Sequence, residues 1–322
     1  MHQEDAPIGE RTLASLLQRM ASIQPAHPAV RGNFGEVSYQ QLVLRASHIA
    51  RGLTDMGVAR DEPVLLMVGN TIEHVLAWLG ISFCGAVEVP VNPAFVGNFL
   101  THVINDSGAS TMVTDPEFLP RLQEVADRTP RLKHIVDTTG QGGNASLRTL
   151  EKSCGEPLIV DRKPWDLIAI MYRSGTTGPA KGVRITHAHA YKHCLPGGTD
   201  GPSSRDVVLV GLPLFHIGGQ WAGVYQAWIA GATAALLERF SASRFWHDAA
   251  QLQATYTTLL GAQASFLMAQ PVQAADTAHA IRRVSMLPLV ADLQKFRERF
   301  GIDGVRTGYG MSEASSPIGA AP

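Results

Sequence analysis

The chain has 322 residues, 45% of them hydrophobic and 17% charged, and its 27 basic and 28 acidic side chains leave a formal net charge of −1. That length holds one large or two ordinary domains with a sizeable core. The balanced charge gives no footing for nucleic acid or an anionic membrane as the main partner. Three widely spaced cysteines, Cys84, Cys154 and Cys194, suit a reducing compartment better than a disulfide framework, so a cytoplasmic setting is expected. Met1 to Arg11 carries Glu4, Asp5 and Glu10 and no apolar stretch, and does not read as a signal peptide.

In chain order, short apolar strands alternate with amphipathic helices, the α/β pattern. Thr12 to Ala21 predicts a helix, and Val30 to Val37 a hairpin turning at Asn33-Phe34-Gly35. Ser38 suits the N-cap of a long helix with Leu42, Ala46, Ile49, Ala50 and Leu53 on one face, ended by Gly57. Pro63 to Val68 is a continuous apolar strand of the parallel-sheet kind. Glu73 to Cys84 predicts a helix, with Cys84 a small core residue, and Ala86 to Val89 a strand. A helix at Phe99 to Asp106 and a strand at Thr111 to Val113 repeat the cycle. Asp137 to Ser146 is the most loop-like segment and is taken to separate two α/β units, residues 1–150 and 151–322.

In the second unit, strands are expected at Leu167 to Met171, Val207 to Val210, Ala232 to Leu237, Thr255 to Leu260, Arg283 to Leu287 and Gly304 to Arg306. A helix rich in charge on one face is expected at Val290 to Phe300. Val207 to Leu237 lacks Asp, Glu, Lys and Arg, but Gly211, Pro213, His216, Gly218, Gly219 and Gly231 interrupt it. It reads as buried strand, loop, helix and strand, not as a membrane span. The expected fold is α/β: two similar subdomains with mostly parallel sheets flanked by helices, and an active-site cleft between them where ligands meet strand carboxyl ends.

The densest chemistry lies at Ser174-Gly175-Thr176-Thr177-Gly178-Pro179-Ala180-Lys181-Gly182. A glycine-rich turn after a buried strand can aim several backbone N–H groups at one anion. Ser174, Thr176 and Thr177 add hydroxyls, and Lys181 a mobile positive charge. The bland alternative is an ordinary surface loop. The spacing is not that of a Walker A motif, because two residues separate Gly178 from Lys181 and Gly182 follows the lysine. His187, His189 and His193 after the loop have a spacing that mimics a metal site, but a solvated helix face is the better expectation.

The loop resembles the phosphate loop of the AMP-forming acyl-CoA synthetases, the adenylate-forming superfamily that includes adenylation domains and firefly luciferase. Gly308-Tyr309-Gly310-Met311-Ser312-Glu313 is similar to that family's Y-G-x-T-E motif. Leu212-Pro213-Leu214-Phe215-His216-Ile217-Gly218-Gly219 is similar to its substrate-pocket segment. The three occur in the family's order, and the resemblance covers the chain from about residue 10 to its end. It implies an acid–thiol ligase: a carboxylic acid and ATP give an acyl-adenylate, and CoA then displaces AMP.

By the same resemblance, Ser174 to Gly178 and Lys181 hold the β- and γ-phosphates. Glu313, with Thr176, binds Mg²⁺, which takes carboxylate and phosphate oxygens together. Ser312 bonds the α-phosphate, and Tyr309, with Gly308, Gly310 and Met311 around it, offers a flat face to adenine. Ser285, Met286 and Pro288 stand in the adenine-binding segment. His216 stands where the acyl pocket meets the thiol channel, as a gate or an acid–base group. Ile217, Gly218, Gly219, Gln220, Trp221 and Gly308 line the acid pocket, the glycines leaving volume; Trp221 is equally a core residue of the following helix.

The sequence also departs from the family. Arg173 stands where the family has Ser or Thr, the loop's proline comes one residue early, and Met286-Leu287 is bulky for an adenine contact. In style the variant looks most like the carnitine/crotonobetaine-type CoA ligases, which does not identify its acid. The family's later ribose-binding Asp, hinge Arg and mobile-domain Lys have no counterpart before Pro322, so an N-terminal portion with low activity of its own is expected. A nucleotide- or acyl-binding protein on the same scaffold, and adenylation with transfer to a carrier protein, stay open, as does a homodimer.

Overall fold

The computed structural model describes residues 6–33, 35–153, 155–173, 179–195 and 201–313, with the backbone alone at 315–320. Among these residues the elements run α1 (Leu13–Ile23), β1 (Pro28–Gly32), β2 (Gly35–Ser38), α2 (Tyr39–Asp55), β3 (Pro63–Met67), α3 (Ile72–Phe83), β4 (Val87–Pro90), α4 (Gly97–Ser107) and β5 (Thr111–Thr114). Next come α5 (Leu119–Gln123), β6 (His134–Asp137), β7 (Ala145–Ser146), α6 (Leu147–Glu151), β8 (Leu167–Arg173), β9 (Lys181–Thr186), α7 (His187–Cys194) and β10 (Val207–Val210). The chain continues with α8 (Ile217–Gly219), a π-helical turn (Gln220–Tyr225), α9 (Gln226–Ile229), β11 (Thr233–Leu236), α10 (Phe245–Gln251), β12 (Tyr256–Leu260) and α11 (Gly261–Met268). It ends on β13 (Arg283–Leu287), α12 (Leu293–Phe300), β14 (Gly304–Met311) and β15 (Ser315–Ala320).

Two mostly parallel sheets result. One has the order β7-β6-β5-β3-β4-β8-β9, the other β15-β14-β13-β12-β10-β11-β1-β2. β8–β9, β1–β2 and β14–β15 are the antiparallel pairs. Central strands such as β5, β10 and β11 are nearly or wholly buried, as strands covered on both faces must be.

The first sheet packs Leu65, Met67, Val89 and Met112 against Leu100, Val103 and Ile104 of α4. The second packs Leu209, Leu259, Val284 and Met286 against Phe245 and Trp246 of α10, Leu267 of α11, and Phe296 and Phe300 of α12. Thr12 caps α1 by accepting from the Ser15 N–H, one residue outside the helix that the sequence begins there. Among the described residues no helix is long and apolar enough to cross a membrane, and Val207 to Leu237 is strand, helix and strand. Cys84 and Cys194 are buried free thiols, while Cys154 and the turn residue Phe34 lie outside the described residues.

The boundary between units falls elsewhere than 150/151. One compact unit takes 7–25 and 40–190; the other takes 1–6, 26–39 and 191–322. Asp137 to Ser146 is therefore internal to a unit. Its tightness comes from the Asp137 carboxylate, which accepts the backbone N–H groups of Thr139, Gly140, Gln141, Gly142 and Gly143. β8 and β9 join the first sheet because β8 lies parallel to β4, with Ala169 opposite Glu88. β1 joins the second sheet beside β11, with Val30 opposite Ala234. Three long-range bonds fix that edge: Tyr39 Oη to the Ala232 carbonyl at 2.7 Å, Trp228 Nε1 to Ala29 at 3.0 Å and Thr233 Oγ1 to Pro28 at 2.7 Å.

Candidate active site

The expected phosphate loop follows β8 and runs into β9, and these two strands pair antiparallel. Ser174, Gly175, Thr176, Thr177 and Gly178 lie outside the described residues; the stem around them is described. Arg173 stands opposite Lys181, Tyr172 opposite Gly182 and Met171 opposite Val183. Residues directly opposite share a face of the sheet, where like charges repel. Arg173 and Lys181, both exposed, thus place two cations at the two feet of the loop.

Helix α4 holds this stem. His102 Nε2 donates to the Ala180 carbonyl at 2.7 Å, and the imidazole meets the Tyr172 ring edge-on at 6.3 Å. One turn on, Asp106 accepts from Tyr172 Oη at 2.5 Å. Gly182 has no room for a side chain: a Cβ there would sit 2.7 Å from Ile170 Cγ2 and 3.3 Å from the Tyr172 ring. His102, Asp106 and Tyr172 escaped the sequence reading. Their one signal is the i, i+4 spacing of His102 and Asp106 on a helix; nothing local links these two to Ala180, 78 residues beyond His102.

Two of the three histidines after the loop are buried, not solvated. His187 Nδ1 accepts the Leu13 N–H at 3.4 Å. Burial first, with help from Arg162 and against Asp166, pulls the His187 pKa down to about 4. His193 packs edge-on against Trp221 at 6.2 Å.

In the other unit, β10 leads through Gly211 to Phe215 into His216, which caps α8. His216 has extended backbone angles, φ −118° and ψ 147°, and its Nδ1 accepts from the Gly218 N–H at 3.1 Å. An accepting Nδ1 leaves the proton on Nε2, so in this state the ring presents a donor and not a base. The side chain is exposed by area yet crowded enough that desolvation holds its pKa below the usual histidine range. In this geometry His216 serves as a helix cap and a donor.

The residues after His216 turn inward. Ile217, Gly219, Gln220 and Trp221 are buried, Gln220 and Trp221 almost wholly. Trp221 packs in the interior against His193. Gly219 does not leave volume for a ligand: a Cβ there would lie 2.3 Å from the Pro213 carbonyl oxygen and 2.4 Å from that of Leu212. Gly218 is half-buried and less confined. The π-helical turn at Gln220–Tyr225 sits here, a distortion found often at functional sites.

At the carboxyl end of β13, Ser285 is half-buried and Pro288 exposed, but the Met286 side chain is in the core. Met286 can offer a ligand only its backbone, whose carbonyl already accepts from Thr307 Oγ1 at 2.8 Å. β14 is longer than expected and carries the last motif on its outer half. Gly308 and Ser312 are half-buried, while Tyr309, Gly310, Met311 and Glu313 are exposed, Tyr309 by 57%. Tyr309 stands opposite Ile318 and Met311 opposite Ser315, so the motif runs along one arm of the β14–β15 pair and into the turn between them.

These observations meet independent likenesses. Residues 17–321 match the family model described as AMP-binding enzyme. The crotonobetaine/carnitine–CoA ligase of Escherichia coli O127:H6 (strain E2348/69 / EPEC) is 30% identical over 296 residues, which cover 88% of this chain and 56% of that enzyme. The chain therefore spans little more than half the length of the curated relatives it matches. Among solved structures, the anthranilate CoA ligase AuaEII in complex with anthranoyl-AMP shares the fold with a TM-score of 0.89 at 21% identity, covering 100% of this chain and 63% of that one. The N-terminal domain of FACL13 from Mycobacterium tuberculosis follows at 0.84 and 24% identity, covering 94% and 76%.

Proposed function

The chain belongs to the AMP-binding enzyme family, and from that premise we propose that it serves the ATP-dependent activation of a carboxylic acid, as the N-terminal part of an AMP-forming acid–CoA ligase. ATP and the acid give an acyl-adenylate and pyrophosphate; the CoA thiol then displaces AMP. Such chemistry asks a protein chiefly for positioning and charge neutralisation.

The observation that carries the proposal is the pair of cations at the feet of the phosphate-loop hairpin, Arg173 opposite Lys181. A polyphosphate held at the loop would meet both positive charges in charge-assisted hydrogen bonds. Lys181 and the loop residues Ser174 to Gly178 bind the β- and γ-phosphates. Each unit exposes groups that suit part of a magnesium nucleotide: one the Lys181 ammonium, the other the Glu313 carboxylate and the Tyr309 ring. Glu313 and Thr176 hold Mg²⁺, which neutralises phosphate charge when bound. Ser312 contacts the α-phosphate, and Ser285, Pro288, Gly308, Gly310 and Met311 frame the nucleotide. His216 donates through Nε2 toward the reacting acyl group, and Gly218 is the half-buried residue of its segment that faces the acid.

The relatives' names put betaine-type acids first in a substrate panel. The test is ATP–pyrophosphate exchange and hydroxamate trapping with crotonobetaine, carnitine and a series of aliphatic and aromatic acids. Exchange that depends on both acid and Mg²⁺, and that falls at least a hundredfold in Lys181→Ala and Glu313→Gln, is expected. ATP binding without adenylate from any acid would instead identify a nucleotide-binding protein. Adenylate that is not passed to CoA would point to a carrier-protein acceptor.

A further inference from the structure

We propose that His102 and Tyr172 are positioning residues for Lys181, fixing the lysine's backbone so that its ammonium is aimed at the nucleotide phosphates; the functional half of this inference rests on the ATP-binding reading above. Lys181 has a pinned neighbour on each side. Before it, the Ala180 carbonyl accepts from His102 Nε2 at 2.7 Å, and Ala180 is itself buried. After it, Gly182 has no space for a Cβ, which would meet Ile170 Cγ2 at 2.7 Å and the edge of the Tyr172 ring at 3.3 Å.

The His102 and Tyr172 contacts trace to one helix. His102 meets the Tyr172 ring edge-on, and Asp106, one turn later on α4, accepts the Tyr172 hydroxyl proton in a hydrogen bond of 2.5 Å. α4 is in turn set by Leu100, Val103 and Ile104, which pack into the core of the same sheet. A flexible lysine reaches a phosphate productively only if its main chain starts from the right place. Beyond the antiparallel register of the stem, the His102 and Tyr172 contacts tie Ala180 and Gly182, on either side of the lysine, to the core.

The test compares the full chain with His102→Ala, His102→Gln and Tyr172→Phe by two measurements. The first is the rate of trypsin cleavage after Lys181 in the absence of ligand. The second is the Kd for MgATP, with melting temperature recorded throughout. One lost hydrogen bond corresponds to about a tenfold change in population. His102→Ala should therefore be cut after Lys181 about tenfold faster and bind MgATP about tenfold more weakly. His102→Gln, whose amide keeps a donor at a similar reach, should stay within about twofold of wild type on both. A variant that loses stability while cleavage and MgATP binding stay unchanged overturns the proposal, and so does faster cleavage with unaltered MgATP affinity. If His102→Ala does not fold, Tyr172→Phe decides by the same two criteria. If the wild-type chain itself binds no MgATP, the proposed function fails, and trypsin cleavage still decides whether the brace exists.

Discussion

Replacing Gly219 with alanine separates two explanations for the glycine pair that follows His216. Built on the existing backbone, the new Cβ would lie 2.3 Å from the Pro213 oxygen, 2.4 Å from the Leu212 oxygen and 2.6 Å from the Pro213 carbonyl carbon. All three atoms are main chain, so no side-chain rotation relieves the clash; either the helix start or the Leu212–Pro213 turn must move. Forcing a methyl into such a site costs about 1–3 kcal/mol. For a unit of this size each kcal/mol corresponds to about 2–4 °C in Tm. The matched control is Gly218→Ala, whose Cβ first meets Leu212 Cδ1 at 3.1 Å, the mobile end of a side chain. It should cost less than about 1 kcal/mol and report instead on acid KM. Urea unfolding followed by tryptophan fluorescence, together with hydroxamate kinetics, measures both. A Gly219→Ala protein as stable as wild type but with raised acid KM would mean that Gly219 lines a ligand pocket after all.

Three further outcomes follow from buried polar groups. Arg299 pairs with buried Asp276 at 2.9 Å and donates to the carbonyls of Met268, Gln270 and Pro271. Arg299→Met strands that carboxylate and should lower unfolding free energy by about 3–5 kcal/mol in denaturant titration, with a loss below 1 kcal/mol counting against it. Burial would raise the Asp137 pKa, but the backbone donors around it outweigh that and hold it at about 2. Its contribution, about 2 kcal/mol, is present above pH 4 and is lost as pH falls toward 2. Asp137→Ala should accordingly lose that amount at pH 7 and converge with wild type near pH 2. Burial pulls His74, His187 and His279 down to about 4, so folded chains stay neutral at positions where unfolded chains take up protons. Stability should fall as pH drops from 6.5 to 4, with proton uptake on unfolding in both units, from His74 and His187 in one and from His279 with His216 in the other; proton uptake near zero on unfolding would contradict this.

Much of the architecture was legible because strand and helix periods are local. β10 and β13 fall at the expected residues, and β3, α3, β4 and β5 differ from their expected bounds by one or two. Pairing is not local, and there the sequence was silent. Nothing around Val30 says that its partner is Ala234, or around Ala169 that it lies beside Glu88. Hence the hairpin at 28–38 and the phosphate-loop hairpin were each assigned to the wrong unit. Burial of polar side chains was hidden for the same reason. His187 looks like a surface residue until the Leu13 N–H arrives from 174 positions away. Gly219 and Met286 were read by motif position, yet their surroundings are the chain's own backbone and core.

The edge strand β1 also sets an order of events during synthesis. Its parallel partner β11 lies about 200 residues downstream, Val30 opposite Ala234. At a ribosomal speed of about 5–20 residues per second, the nascent β1–β2 hairpin waits about 10–40 s before the strand that covers it has been made. Ala29 and Val30, wholly buried in the finished protein, are meanwhile open to other chains along an unpaired edge. The first unit, by contrast, has all its strands by Thr186 and can close while the hairpin is still unpartnered. Slowing translation between residues 190 and 236 should therefore raise the aggregated fraction.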